Sequence, residues 1–153
     1  MSKPSMIELR IIEETGFQHE DIQPLNESTR TIVQANVDYY QRIGYNQPWV
    51  GYLAVQNGEA VGSCGFKGMR NGITEIAYVT FDPYRGNGVG TEMCRLLCEI
   101  ASEHPEIEVT ARTLKEPSYS TRILEKNGFR HVRDVVDEDG VEVWEYSLFR
   151  RKA

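Results

Sequence analysis

The stretch Ile76-Ala77-Tyr78-Val79-Thr80-Phe81-Asp82-Pro83-Tyr84-Arg85-Gly86-Asn87-Gly88-Val89-Gly90-Thr91 joins the end of a strand to a glycine-rich helix start. Residues 73–81 are rich in β-branched and aromatic side chains, as a strand requires. Asp82-Pro83-Tyr84 breaks it, because proline has no N–H to give a ladder. From about Val89 to Glu103, Val89, Met93, Leu96, Leu97 and Ile100 recur at helical spacing, and Pro105 prevents continuation. Between strand and helix, glycines let successive amides converge on one spot. The helix dipole adds partial positive charge there, so the segment suits a phosphate. Arg85 stands at its entrance, either as a fixed cation or as a brace for the loop.

Spacing tests two rival nucleotide motifs. A P-loop needs Lys-Ser/Thr directly after its last glycine, and no lysine follows Gly90. The dinucleotide fingerprint needs Gly-x-Gly-x-x-Gly after a parallel first strand, whereas this loop reads Gly-x-Gly-x-Gly after a meander. A Rossmann-type oxidoreductase is therefore the least favoured reading.

Working outward, residues 7–12 alternate as a first strand. Ser28 or Thr29 is expected to cap a helix running to Ile43, with Gly44 as its stop. Residues 49–56 and 60–67 read as two strands joined by a type I′ turn at Asn57-Gly58. A second turn at Arg70-Asn71-Gly72 leads into the strand at 73–81, completing a three-stranded meander. Downstream come a strand at 108–114 and a helix at 118–126 closed by Asn127-Gly128. Phe129 then turns back into the core, and a hairpin pairs 132–136 with 141–149. The expectation is one α/β (α+β) domain over residues 1–153, with a mixed, mostly antiparallel sheet flanked by helices.

A net charge of −6 argues against nucleic acid, which needs a basic footprint. No apolar run approaches the roughly 20 residues that span a bilayer. Met1 to Met6 contain one lysine and no signal-peptide core behind it, so a cytoplasmic location is expected. Cys94 and Cys98 share a helix face, but His19, His104 and His131 show no ligand spacing. No metal is expected, and the three cysteines read as small buried hydrophobes.

Three stretches carry a family resemblance. Arg85 to Gly90 resembles the Arg/Gln-x-x-Gly-x-Gly/Ala element of the Gcn5-related N-acetyltransferases (GNAT). Glu75 to Gly86 with Gly90-Thr91-Glu92-Met93, and Ser120 to Phe129, resemble the branch containing ribosomal-protein alanine N-acetyltransferases. The order of elements over residues 7–149 resembles the same fold, whose fourth and fifth strands splay apart. The resemblance implies an acetyltransferase that moves the acetyl group of acetyl-CoA to a primary amine of a small molecule or peptide, directly in a ternary complex. A non-catalytic acyl-CoA-binding module is the alternative, and a homodimer is an expectation from the family's habits.

The resemblance also implies site roles. The pyrophosphate sits on amides of Arg85, Gly86, Asn87, Gly88, Val89, Gly90 and Thr91, while the pantetheine arm pairs along Val79, Thr80 and Phe81. The Val79 amide is the expected donor to the thioester carbonyl. Glu75 is the candidate base, with Glu108 in reserve; Glu75 could equally orient the acceptor's ammonium or face solvent. Leu124 stands where many relatives place a tyrosine acid, leaving Ser120 or the adjacent Tyr119 to meet the sulfur; capping is the other reading of Ser120. Pro117 replaces a common asparagine contact to the pantetheine, which passes to Ser118. Acceptor recognition is assigned to residues 15–50 and the closing hairpin, with Tyr39, Tyr40, Tyr45 and Trp49 divided between pocket and core.

Overall fold

A computed structural model describes residues 6–16, 22 and 26–150. The elements in chain order are β1 (Glu8–Ile11), α1 (Glu27–Ile43), β2 (Gly51–Gln56), β3 (Glu59–Arg70) and β4 (Ile73–Thr80). Then follow a 3-10 turn (Asp82–Tyr84), α2 (Val89–Ala101), β5 (Glu108–Leu114), α3 (Tyr119–Lys126), β6 (Phe129–Val136) and β7 (Glu142–Leu148). All seven strands form one sheet in the order β1-β2-β3-β4-β5-β7-β6. Every neighbouring pair is antiparallel except β4 with β5. No helix among the described residues is long and apolar enough to cross a membrane.

Both expected hairpin turns form. Asn57 and Gly58 have φ of 54° and 75°, and Asn71 and Gly72 have 54° and 78°, the paired positive values of type I′ turns. Several boundaries move for identifiable reasons. Asn26, not Ser28 or Thr29, caps α1, its Oδ1 accepting from the Thr29 amide at 2.9 Å. Trp49 lies in a turn closed by its amide on the Asn46 carbonyl, so β2 starts at Gly51. Strand β6 begins at Phe129 rather than at 132, because Phe129 already pairs with Leu148. Strand β3 runs past the expected end and carries a bulge: Lys67 and Gly68 lie between the pairs Phe66–Ile76 and Met69–Thr74, opposite Glu75 alone. Gly68 has φ of 74°, the left-handed backbone that such a bulge uses.

Alternation along β4 divides the two sheet faces. Thr74 and Ile76 are buried, the Tyr78 hydroxyl reaches Ser120 of α3, and the Thr80 hydroxyl lies beside Gly90 of α2. Glu75, Ala77 and Val79 therefore face the opposite side, where they share a cleft with Asn36 and Tyr39 of α1. The core holds Leu53, Val61, Met93, Leu97, Leu124 and Phe129, all essentially inaccessible to solvent. Burying each side chain of this size contributes about 1.5–3 kcal/mol. Cys64 and Cys94 are buried and Cys98 half-buried, all three free, as expected of small hydrophobes.

Helix α1 is tied to the sheet through Tyr40. Its hydroxyl donates to the Ile12 carbonyl at 2.8 Å and accepts from the Gly51 amide at 2.9 Å. Tyr40→Phe leaves both backbone groups unpaired in a buried place, so a loss of about 1–3 kcal/mol is expected from urea unfolding. Burial raises the Tyr40 hydroxyl from 10.0 to about 12. Its neutral form is the one stabilised, so its contribution is complete below pH 10 and drains away toward pH 12. The gap between wild type and Tyr40→Phe should therefore narrow as pH rises through that window.

Candidate active site

Strands β4 and β5 stay together only from Ile73–Glu108 to Ile76–Ala111. Beyond that point β4 continues beside β3 as far as Thr80, while Arg112, Thr113 and Leu114 of β5 follow β7. The two strands part, and a cavity of about 130 Å³ occupies the gap. Tyr78, Ser120 and Leu124 line it from the side of α2 and α3; Lys67, Glu75 and Arg112 line it from the other. On the α1 side a cleft of about 1250 Å³ opens, bounded by α1, β4, β5 and the β6–β7 turn at 137–139. The gap thus joins two faces of the sheet.

The glycine loop lies where β4 hands over to α2. Gly86 and Gly88 have φ of 83° and 77°, and a Cβ on either would meet nothing within 4 Å. Conformation, not space, demands glycine there. Gly90 answers a different need, since its Cβ would stand 2.8 Å from Ile123 Cδ1, where α2 presses on α3. The Asn87 side chain donates to the carbonyls of Tyr84 and Arg85 at 3.3 and 3.4 Å, bracing the turn. Arg85 is exposed and pairs with Asp82 at 3.1 Å. The first amide of α2 with a helical acceptor is that of Glu92, bonded to Gly88. The amides of Gly88, Val89, Gly90 and Thr91 precede it and are the orphan donors of the helix start. Val89 is otherwise a core residue, 3% exposed, so its amide alone is available to a ligand.

The strand amides require a correction. The Phe81 amide donates to Val61 of β3. Alternation turns the Val79 amide the same way. The Val79 carbonyl agrees, lying 2.7 Å from the point a Cβ on Gly62 of β3 would occupy. On the other edge, the carbonyls of Gly72 and Thr74 accept from Glu108 and Thr110 of β5. The amides facing the gap are therefore those of Tyr78 and Thr80, not Val79 or Phe81.

Helix α3 also sorts its candidates. Ser118 forms a capping box: its hydroxyl oxygen accepts from the Thr121 amide, and its amide donates to Thr121 Oγ1 at 2.9 Å. Capping is thus the work of Ser118, and Ser120 is left lining the gap. Tyr119 is 53% exposed, with Arg122 stacked on its ring and Gly90 beside it, and does not line the gap. Tyr78 does. Its hydroxyl donates to the Ser120 carbonyl at 3.3 Å, and burial pushes its pKa well above the usual tyrosine value. Sequence reading passed over Tyr78 as a strand residue, although its even position in β4 already separates it from Glu75.

Glu75 lies at the mouth of the gap, ion-paired with Lys67 at 3.1 Å and Arg112 at 3.8 Å. Arg112 also reaches Glu145 at 3.4 Å, and Glu145 pairs with Arg133. The chain Lys67, Glu75, Arg112, Glu145, Arg133 thus crosses β3, β4, β5, β7 and β6, five neighbouring strands, with alternating charge. The bulge in β3 places Lys67 against Glu75. Apart from Glu75, these residues escaped the sequence reading, because only strand order and register bring them together. Glu108, the reserve base, accepts from Ser147 Oγ at 3.0 Å and is held toward β7.

Of the aromatics assigned to acceptor recognition, Tyr40 and Trp49 are core at 5% exposure each, Tyr45 packs edge-on against Tyr40, and Tyr39 lines the cleft. His19, Met1 to Ser5 and the parts of segment 15–50 at 17–21 and 23–25 lie outside the described residues.

Comparisons with known proteins agree with this geometry. A search of curated proteins gave no match. Among solved structures, the ribosomal L7/L12 alpha-N-protein acetyltransferase RimL in complex with coenzyme A superposes with a TM-score of 0.67 at 19% identity, covering 95% of this chain and 94% of that one. Aminoglycoside acetyltransferase AAC(6')-Ib with coenzyme A and kanamycin gives 0.67 at 20%, covering 95% of each. A Salmonella typhimurium acetyltransferase described as modifying the N-terminal serine of L7/L12 gives 0.67 at 17%, covering 98% and 97%. The family model for the acetyltransferase (GNAT) domain matches residues 10–130, and the chain belongs to that family.

Proposed function

We propose that this chain is an N-acetyltransferase using acetyl-CoA as co-substrate and a primary amine as acceptor. The observation that carries the reading is the parting of β4 and β5 directly beside the glycine-built start of α2. One end of this arrangement offers unpaired helix amides, which suit a pyrophosphate. The other end offers strand amides at Tyr78 and Thr80 and a passage to a carboxylate. Acetyl-CoA would supply an activated acetyl thioester, held by the amides of Gly88 to Thr91 and along the open edge of β4. Free thiols at Cys64, Cys94 and Cys98 support a reducing, cytoplasmic setting.

The protein's own groups then divide the work. An alkyl ammonium has a pKa of about 10.4 and must lose a proton before its lone pair can attack. Glu75, at the cleft side of the gap, accepts that proton directly or through a water. The acceptor's ammonium competes with Lys67 for the same carboxylate. A backbone amide of Tyr78 or Thr80 donates to the thioester carbonyl oxygen, a role typically worth about 3–4 kcal/mol. As the C–S bond breaks, the sulfur meets Ser120 and Tyr78. A thiol with a pKa of about 8.5 leaves readily without a strong acid, so Leu124 is compatible with turnover.

Thiol release in the presence of acetyl-CoA and a panel of amines tests the reading. If acetyl-CoA binds but no amine, amino acid, polyamine or peptide yields free thiol, the chain is a binding module instead. Glu75→Gln should lower kcat by about 100-fold or more at neutral pH, with KM for acetyl-CoA changed less than threefold. A melting temperature lowered in parallel would assign the loss to folding, because inactive enzyme also lowers apparent kcat while leaving KM unchanged. Gly88→Val strains a left-handed backbone and places a side chain before the helix amides. It should raise KM for acetyl-CoA by about tenfold or more, while KM for the amine moves little.

A further inference from the structure

Arg112 occupies an unusual position in the ion chain that crosses the cleft floor. Its Nε is the atom nearest to both Glu145 and Glu75, at 3.4 and 3.8 Å. Glu145 is 7% exposed, and its second oxygen is taken by Arg133. Arg112 is thereby held by its inner nitrogen. Its Nη groups donate no hydrogen bond among the described residues, and the side chain lines both the gap and the cleft. A guanidinium fixed in this way presents its two outer N–H groups as a fork for a carboxylate.

Within the ion chain itself the cations are in excess. The chain across the floor contains three cations and two anions, Lys67, Arg112 and Arg133 against Glu75 and Glu145. Arg42 and Arg70 line the same cleft with no acidic partner among the described residues, Arg42 resting on the Tyr39 ring at 5.3 Å. Glu108, Asp137, Glu138 and Asp139 add four anions to the lining of the cleft, so the excess of cations belongs to the floor chain and not to the cleft as a whole. Asp137 Oδ1 is committed to the amides of Asp139 and Val141, each at 2.9 Å.

We infer that the acceptor carries a carboxylate beside its amine, as an α-amino acid does, its ammonium taken by Glu75 and its carboxylate by the Nη edge of Arg112. The inference deepens the acetyltransferase reading and rests on it. In an α-amino acid the two charged groups hang from one carbon, and Glu75 with Arg112 offers an adjacent pair of opposite sign. A carboxylate-free amine would leave the Arg112 fork unmatched.

The test compares neutral L-amino acids with their amides, and with kanamycin and a short peptide, at saturating acetyl-CoA. The acid should exceed its amide in kcat/KM by about 100-fold. In Arg112→Gln this ratio should collapse toward one, while in Arg112→Lys, which keeps charge without the fork, it should be intermediate. Melting temperatures of both variants identify a folding defect, and the ratio is read within one protein, so partial loss of active enzyme leaves it unchanged. An amide, kanamycin or peptide used as well as the acid, or a ratio that Arg112→Gln does not move, overturns the inference. Calorimetry separates the two claims. Acetyl-CoA binding with turnover of carboxylate-free amines upholds the enzyme and removes the amino-acid assignment. Failure of acetyl-CoA to bind removes both.

Discussion

The site depends on one conflict in strand pairing. Strand β5 is parallel to β4 for four residues and antiparallel to β7 for five, and it cannot follow both neighbours to its end. It follows β7. The amides and carbonyls along the far half of β4 thereby lose their partner inside a sheet whose other strands are paired. Backbone groups in that state need water or a ligand. An extended ligand arm lying against β4 would replace the missing strand. The gap also connects the helix-covered face, where the glycine loop sits, to the cleft face that holds Glu75. A donor and an acceptor can therefore approach one point from opposite sides of the sheet.

Much of this was legible in the residues. Asn57-Gly58 and Asn71-Gly72 specify type I′ turns, and the turns fix the meander that brings β4 to the loop. The three loop glycines were readable as a group, although only coordinates separate their causes: φ at Gly86 and Gly88, helix contact at Gly90. The direction of the strand amides was not legible. A strand's side chains alternate visibly in sequence, but which edge its amides face depends on which neighbour lies where. Hence the sequence points to Val79, where Tyr78 and Thr80 face the opening. Nor is the Ser118 cap separable from Ser120 in sequence, since both stand at the start of the same helix and only the box with Thr121 decides between them.

The ion chain shows most plainly what a linear reading cannot reach. Its members lie at positions 67, 75, 112, 133 and 145, with no motif in their spacing. Sheet order β3-β4-β5-β7-β6 places them side by side, and the bulge at Lys67-Gly68 points the first of them at Glu75. A glycine inside a long strand was the available signal for that bulge. Glu75 itself is legible in sequence, because a carboxylate in an apolar strand needs a reason. The structure supplies two cations beside it, which hold it at the mouth of the gap.

Those cations bear on both stability and chemistry. Half-exposed ion pairs contribute little net stability, typically about 0–1 kcal/mol, so the chain is a weak explanation for the fold. Glu145 is different, because a carboxylate 7% exposed needs its partners, and losing Arg112 or Arg133 would leave it costly. The need to satisfy Glu145 fixes the Nε side of Arg112, and that leaves the Nη groups without a hydrogen-bond partner among the described residues. A buried structural demand on one edge of a guanidinium thus determines what the other edge can recognise. Lys67 has no such second anchor among the described residues and is 51% exposed, which makes it the more readily displaced partner of Glu75. On the proposed reading, the same carboxylate exchanges a resident cation for a substrate cation without being left unpaired, and one arrangement would serve binding and proton transfer in turn.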